Sequence, residues 1–265
     1  MIQLNATFLG KTQTAKSVEG CQIELTGYTN DIEFEQWHSH TNASISFLLS
    51  GTHREDLFGK EHVRVPGDIK FIPSGELHRC KNYASGTRKI NLDIPAGLLR
   101  QMDVSEDDVF SLLSRNGRPK FTLIKLYHEL SDAESHTAAS AHLMLYELFH
   151  PAENEKKISG QIPRWVCILK DILHDEWDKT LDLHDLSSRL GVHPVTISRY
   201  FPLYFSSTLG NYLWFLKIGK ALSLIKGTDQ SLTDIAYTCG FADQAHFTRT
   251  FKKITGFSPK EFRKT

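Results

Sequence analysis

Asp182-Leu183-His184-Asp185-Leu186-Ser187-Ser188-Arg189-Leu190-Gly191-Val192 and Ser231-Leu232-Thr233-Asp234-Ile235-Ala236-Tyr237-Thr238-Cys239-Gly240-Phe241 are two versions of one pattern. Each opens on a residue whose side-chain oxygen suits a helix N-cap, Asp182 or Ser231. Asp234 stands three residues beyond its cap, like the acidic partner of a capping box. Each stretch then reads as a short helix and stops at a glycine, Gly191 or Gly240, which tolerates the left-handed backbone of a sharp turn. A second helix follows both times. It is expected from His193 to about Tyr204, with Ile197, Tyr200, Phe201 and Tyr204 inward, and from Asp243 to Ile254, with Phe247, Phe251 and Ile254 inward. Helix, tight turn, helix is the plan in which the second helix enters a DNA major groove.

Between the two units, Leu209 to Lys226 reads as one long helix with Leu209, Leu213, Leu216, Leu224 and Ile225 buried and Gly227 as its cap. Such a connector fixes the separation of the two recognition helices, which on straight DNA must reach groove segments ~34 Å apart. Charge follows the same division. The chain is neutral overall, yet from Gln161 onward 14 Lys and Arg face 10 Asp and Glu, while the first 160 residues carry the opposite excess. A basic module joined to a different one is implied.

Hydrophobic content of 40% and charged content of 23% in 265 residues describe a soluble chain with room for two cores. No stretch approaches the ~20 apolar residues of a membrane span, and the N-terminus has no secretory pattern, so no membrane partner and a cytoplasmic location are expected. Cys21, Cys80, Cys167 and Cys239 lie far apart without a CxxC pair, which predicts reduced, mostly buried thiols.

Upstream, Cys21–Leu25, Ile32–Glu35, Ser44–Phe47 and Lys89–Leu92 alternate apolar with polar residues, the period of half-buried strands. Turn signals such as Pro66-Gly67-Asp68 and Pro73-Ser74-Gly75 separate them, and the regular spacing predicts a barrel or sandwich. Helical stripes follow at Leu123, Leu126, Tyr127 and Leu130, and at Ala138, Ala139, His142, Leu143, Tyr146 and Phe149. The fold class expected is therefore two-domain α+β: a barrel with flanking helices over 1–150, a linker over 151–162 and an all-α domain with two helix-turn-helix units over 163–265.

Ile235-Ala236-x-x-Cys239-Gly240-Phe241-Ala242-Asp243-Gln244-x-His246-Phe247-x-Arg249-x-Phe251-Lys252-Lys253-x-x-Gly256-x-Ser258-Pro259-x-x-Phe262-Arg263 closely resembles the signature of the AraC family of transcription regulators. The resemblance covers about a hundred residues and implies double-stranded DNA as partner. Ser187, Pro202 and Ser206 depart from it, standing where alanine, a basic residue and glycine are usual; proline inside a helix predicts a stop near Phe201. On the polar faces, Arg249 suits guanine, Gln244 adenine, and Ala245 or Val195 a thymine methyl. Thr196, Ser198, His246, Thr248 and Lys252 suit phosphate, and Arg199 suits either.

Trp37-His38-Ser39-His40, then Ser44 and Gly51, then Gly67-Asp68-x-x-x-x-Pro73-x-Gly75-x-x-His78-x-x-x-Asn82, resemble the two cupin motifs. The cupin resemblance implies a double-stranded β-barrel whose histidines and one glutamate hold a divalent metal; Ser44 stands where that glutamate would be. His38 and His40 point to one side of a strand and His78 closes a triangle, so three imidazoles for a metal are in hand. The other reading is a barrel mouth in which Trp37, His38, His40 and His78 hold a small-molecule effector. The helices at 121–130 and 134–150 resemble those through which this family dimerises, so a homodimer is expected; a surface for RNA polymerase is a further possible partner site. A cupin enzyme with an appended DNA-binding domain, and a barrel that serves only dimerisation, are the competing functions.

Overall fold

A computed structural model describes residues 2–4, 8–29, 35–115, 117–131, 138–150 and 162–265. Its strands are β1 (Ile2–Leu4), β2 (Lys11–Val18), β3 (Cys21–Tyr28), β4 (His38–His40), β5 (Ala43–Ser50), β6 (His53–Leu57), β7 (Lys60–Arg64), β8 (Ile69–Ile72), β9 (His78–Lys81) and β10 (Thr87–Ile94). Its helices are α1 (Ala96–Gln101), α2 (Glu106–Arg115), α3 (Pro119–Ser131), α4 (Ala138–Phe149), α5 (Arg164–Asp175), α6 (Leu183–Leu190), α7 (Pro194–Phe205), α8 (Leu209–Gly227), α9 (Leu232–Thr238), α10 (Gln244–Thr255) and α11 (Pro259–Lys264). Two compact units result, Met1–Phe149 with Leu222–Asp229, and His150–Ala221 with Gln230–Thr265. None of these helices is long and apolar enough to cross a membrane.

The first unit holds two five-stranded sheets, ordered β1-β4-β9-β6-β7 and β2-β3-β10-β5-β8. In the second sheet, Ile90 stands opposite Leu25 on one side and Phe47 on the other. This register gathers Ile45, Phe47, Ile90, Leu92 and Ile94 on one face, all fully buried, each stabilising the fold by about 2 kcal/mol. Helices α4 and α2 pack on β2 and β8 of this sheet. By the two-residue period, Ser44, Ser46, Lys89 and Asn91 occupy the opposite face, and they are buried too. The space between the sheets is therefore polar.

Two stretches differ from expectation. Strand β2 escapes the sequence reading because seven of its eight residues are exposed, leaving no alternation; Lys11 and Lys16 guard this edge against further pairing. Helix α4 buries Ala141, Leu145, Leu148 and Phe149 and leaves His142, Leu143 and Tyr146 exposed, so the expected stripe is out of phase. The strand expected at Ile32–Glu35 and the linker over 151–162 lie outside the described residues, save Glu35 and Ile162.

In the second unit, Leu169, Leu173, Leu186, Ile197 and Phe201 form the core of the first helix-turn-helix, with Leu209, Leu213 and Leu216 of α8 packed against it. Further along, α8 buries Ile218 and Ala221 in this unit. The second helix-turn-helix is built on rings: Trp214, Phe241, Phe247, Phe251 and Phe262 follow one another at centroid distances of 5.2, 5.2, 5.6 and 5.6 Å. Asp182 accepts the N–H groups of His184 and Asp185 at 2.7 and 2.8 Å, and Ser231 that of Asp234 at 3.1 Å. Asp234 does not complete a capping box; its carboxylate accepts a hydrogen bond from the Ser231 hydroxyl instead, at 2.6 Å. The complete box is at Ser258 and Glu261.

Helix α7 does not stop near Phe201. It continues through Pro202 to Phe205 and ends at Ser206, whose φ of 49° is left-handed, which accounts for glycine being usual there. The hydrogen bond that Pro202 cannot donate would have gone to Ser198, an exposed residue whose carbonyl can turn to water. Tyr200 faces out, 41% exposed, rather than inward.

Gly191 and Gly240 both have positive φ, 63° and 67°, but differ in what surrounds them. A Cβ on Gly191 would meet nothing within 4 Å, whereas one on Gly240 would lie 2.2 Å from the Asp178 carbonyl oxygen. Gly191→Ala is expected to lower stability by about 1 kcal/mol, the left-handed penalty alone. Gly240→Ala adds a backbone clash and is expected to lose about 3 kcal/mol or more. Chemical unfolding of the two variants checks this ordering; equal losses would remove the distinction.

Candidate functional sites: a polar lumen and two recognition helices

Strands β4 and β9 pair with His38 opposite His78, and His40 lies two residues along. The rings of His38, His40 and His78 sit 4.3 to 5.2 Å apart, all buried. His38 Nδ1 donates to the Gln36 carbonyl at 2.9 Å and His78 Nδ1 to the Glu76 carbonyl at 3.1 Å. Because a carbonyl only accepts, the proton is fixed on Nδ1 and each Nε2 offers a lone pair. Burial, then His38 and Lys70, holds the His40 pKa down at about 4; burial, then Lys70 and His38, pushes His78 down to about 2. Both imidazoles are thus neutral at pH 7.

These rings line a cavity enclosing about 330 Å³, solvent-open mouth included, with Ser44, Lys70, Lys89, Asn91 and Glu35 on its walls. Ser44 Oγ is buried and has no hydrogen-bond partner among the described residues. Glu35 accepts from the Cys80 N–H at 3.0 Å and the Tyr83 hydroxyl at 2.5 Å. That hydroxyl accepts from Lys89 at 3.0 Å, and the Lys89 ammonium also rests over the rings of Tyr28 and Tyr83. Deeper, Glu55 is fully buried and bound by Arg64 at 2.8 Å and by Lys70. Burial, and after it the nearby Lys89 charge, outweighs Cys80 and Glu35 and lowers the Lys70 pKa to about 8. Glu35, Glu55, Lys70 and Lys89 have no motif of their own, and the sequence reading missed all four. Trp37 is not part of the lumen: it is 43% exposed, with the Arg79 guanidinium 4.8 Å above its ring.

In number and type, three imidazoles suit zinc. Their surroundings do not. Lys70 already depresses the proton affinity of His40 and His78, and the same field opposes a dication, while Ser44 brings no compensating carboxylate. A second buried group, His53, Glu55 and Cys80, fits no better, because Glu55 meets Arg64 and Lys70, and Lys89 lies 3.6 Å from Cys80 Sγ.

On the recognition helices, Val195, Ser198, Arg199, Gln244, Ala245, Arg249 and Lys252 are exposed, and Thr196, His246 and Thr248 half-exposed. Among the described residues, the ion pairs of this unit join Glu176 to Lys179 and Arg189, and Asp185 to Arg189. Arg199 and Arg249 stand outside them. Gln244 Oε1 accepts from the Thr233 hydroxyl at 2.6 Å, which turns its amide N–H groups outward. The His246 ring packs edge-on against Trp214 and Phe241 at 5.0 and 5.4 Å, so its backbone N–H, taken by the Asp243 cap, and its ring are both engaged.

Two family models match the chain, an AraC-like ligand binding domain over residues 23–149 and a helix-turn-helix domain over 186–265. The chain belongs to the AraC family. Among AraC-family relatives, it is 33% identical to the transcriptional activator RhaS of Enterobacter sp. (strain 638) over 143 residues, 50% of the chain and 48% of that protein. The chain thus matches about half the length of that relative. With the RhaS of Mannheimia succiniciproducens it shares 28% identity over 249 residues, 85% of the chain and 88% of the relative. It is also similar to the solved DNA-binding domain of AdpA in complex with a target DNA, at 21% identity and a TM-score of 0.36, covering 37% of this chain and 89% of that one.

Two outcomes follow. Glu55→Gln leaves Arg64 and Lys70 buried beside a neutral group, so the first unit should lose about 3 to 5 kcal/mol in thermal or chemical unfolding. Elemental analysis of protein purified without chelator should find far less than one equivalent of zinc, manganese or iron; near-stoichiometric metal would show that the Lys70 field is overcome.

Proposed function

We propose that the chain is a ligand-responsive, bacterial-type transcription regulator. The two helix-turn-helix units read successive major-groove segments of double-stranded DNA in the cytoplasm. Its lumen binds a small polar effector. The observation that carries this reading is the pairing of a buried, polar, partly unsatisfied lumen with two capped recognition helices whose exposed faces carry Arg199, Gln244 and Arg249. The domain boundaries proposed are 1–150 and 163–265. The exposed Leu143 and Tyr146 of α4 support a homodimer formed on that face. No surface is assigned to RNA polymerase. A cupin oxygenase or isomerase would need the metal that the lumen disfavours, and the relatives matched are transcription regulators.

Selection of genomic fragments by the purified chain at near-physiological salt tests the reading. It should return a motif of two short blocks about one helical turn apart. Binding without a motif, falling steeply with salt, would leave only the electrostatic attraction to phosphate and sink the proposal. On a selected site, Arg249→Ala should cost about 1 to 3 kcal/mol and relax preference at one base pair. Lys252→Ala should weaken all sequences alike and reduce the salt slope by about 1.

A further inference from the structure

Hydrogen-bonding capacity in the lumen is unevenly used. Both carboxylates are filled by the chain itself: Glu35 by the Cys80 N–H and Tyr83, Glu55 by Arg64 and Lys70. Lys89 is likewise engaged, by Tyr83, Cys80 and two aromatic faces. Lys70 is different. Its side chain is 10% exposed, it lines the cavity, and among the described residues Glu55 is its one ion-pair partner, shared with Arg64. An ammonium has three donors, so Lys70 retains donors facing the cavity. Ser44 Oγ, 1% exposed and unpartnered, lines the same cavity. A buried hydroxyl left unpaired is costly, and a partner that satisfies it together with the Lys70 ammonium beside it is an acceptor.

The opposite wall has the reverse deficit. With Nδ1 of His38 and His78 committed to carbonyls, each Nε2 waits for a donor. An ammonium group there would sit in the field of Lys70, so a hydroxyl is the donor that fits.

We propose that the effector is a small hydroxycarboxylate, its carboxylate held by Lys70 and Ser44 and its hydroxyl by the imidazoles of His38 and His78. This inference rests on the effector reading above and names the chemistry of that same lumen. Charge-assisted bonds from an ammonium to a carboxylate provide the affinity, and the histidines discriminate against acids that lack the hydroxyl.

The test uses the full chain in EDTA-containing buffer at constant ionic strength, with glycolate, the smallest hydroxycarboxylate, as probe. Glycolamide is its uncharged counterpart and acetate its counterpart without the hydroxyl. Thermal unfolding should show a saturable rise in Tm with glycolate, a smaller one with acetate and none with glycolamide. Lys70→Met should weaken the glycolate response by about tenfold or more, and Lys70→Arg should retain it. Should Lys70→Met fail to fold, Ser44→Ala with the three probes serves instead, expected to weaken glycolate and leave glycolamide inert. An equal response to glycolate and glycolamide, an undiminished one in a folded Lys70→Met, or no response to glycolate in the unaltered chain overturns the proposal. Operator selection is measured apart, so a regulator that fails this test remains a regulator with an effector of other chemistry.

Discussion

The two-residue period of β5 and β10 is the constraint on which the first unit depends. A strand in a two-sided sheet must send alternate side chains to opposite faces, and here Ile45, Phe47, Ile90, Leu92 and Ile94 take the face away from the lumen. The hydrophobic stabilisation of the sheet therefore lies outside the barrel, and the interior is released from that duty. Serine, asparagine, lysine and histidine can occupy it because the other face supplies the burial. In exchange, each interior polar group needs a partner, since an unmet buried one is destabilising. The chain meets most of these needs with a linked set of charges and hydroxyls running from Glu35 through Tyr83 to Lys89 and, separately, from Glu55 to Lys70 and Arg64.

The same inversion explains which parts of the fold could be read from residues alone. Where one face is apolar and the other exposed, as in α6 and α10, the period, the cap and the terminal glycine agree, and the helix-turn-helix units are legible to within a residue or two. Strand β6 escapes notice because inward-facing Glu55 and His53 read as surface residues although both are buried, and β7 because none of its residues is buried. The histidine triangle is visible from spacing; Lys70 and Lys89 are not, because nothing in a single sequence separates a buried lysine from the many exposed ones. Trp37 errs the other way, as an aromatic residue beside the motif that turns outward to Arg79.

Proline and serine in the first recognition helix show how rules of local structure yield to context. Pro202 lacks a donor, yet the helix persists because its lost acceptor is at an exposed position and Phe201 anchors the turn in the core. Two halves built on one pattern thus differ in construction. The first mixes aliphatic packing around Leu186 and Ile197 with the rings of Phe201, Phe205 and Tyr212, while the second is held mainly by a run of stacked and edge-on rings from Trp214 to Phe262. Lys217, 6% exposed, ties the second to α8 by donating to the Gly240 carbonyl at 2.9 Å.

The cysteines divide in a way that has a use of its own. Cys21, Cys80 and Cys239 are buried, and burial pushes the thiols of Cys21 and Cys239 up to about 12, far from the thiolate that reacts with electrophiles. Cys167, on α5 beside the first helix-turn-helix, is exposed. The native chain consequently carries one addressable thiol in its DNA-binding half. A fluorophore attached there would report on that half as DNA arrives, with no residue replaced.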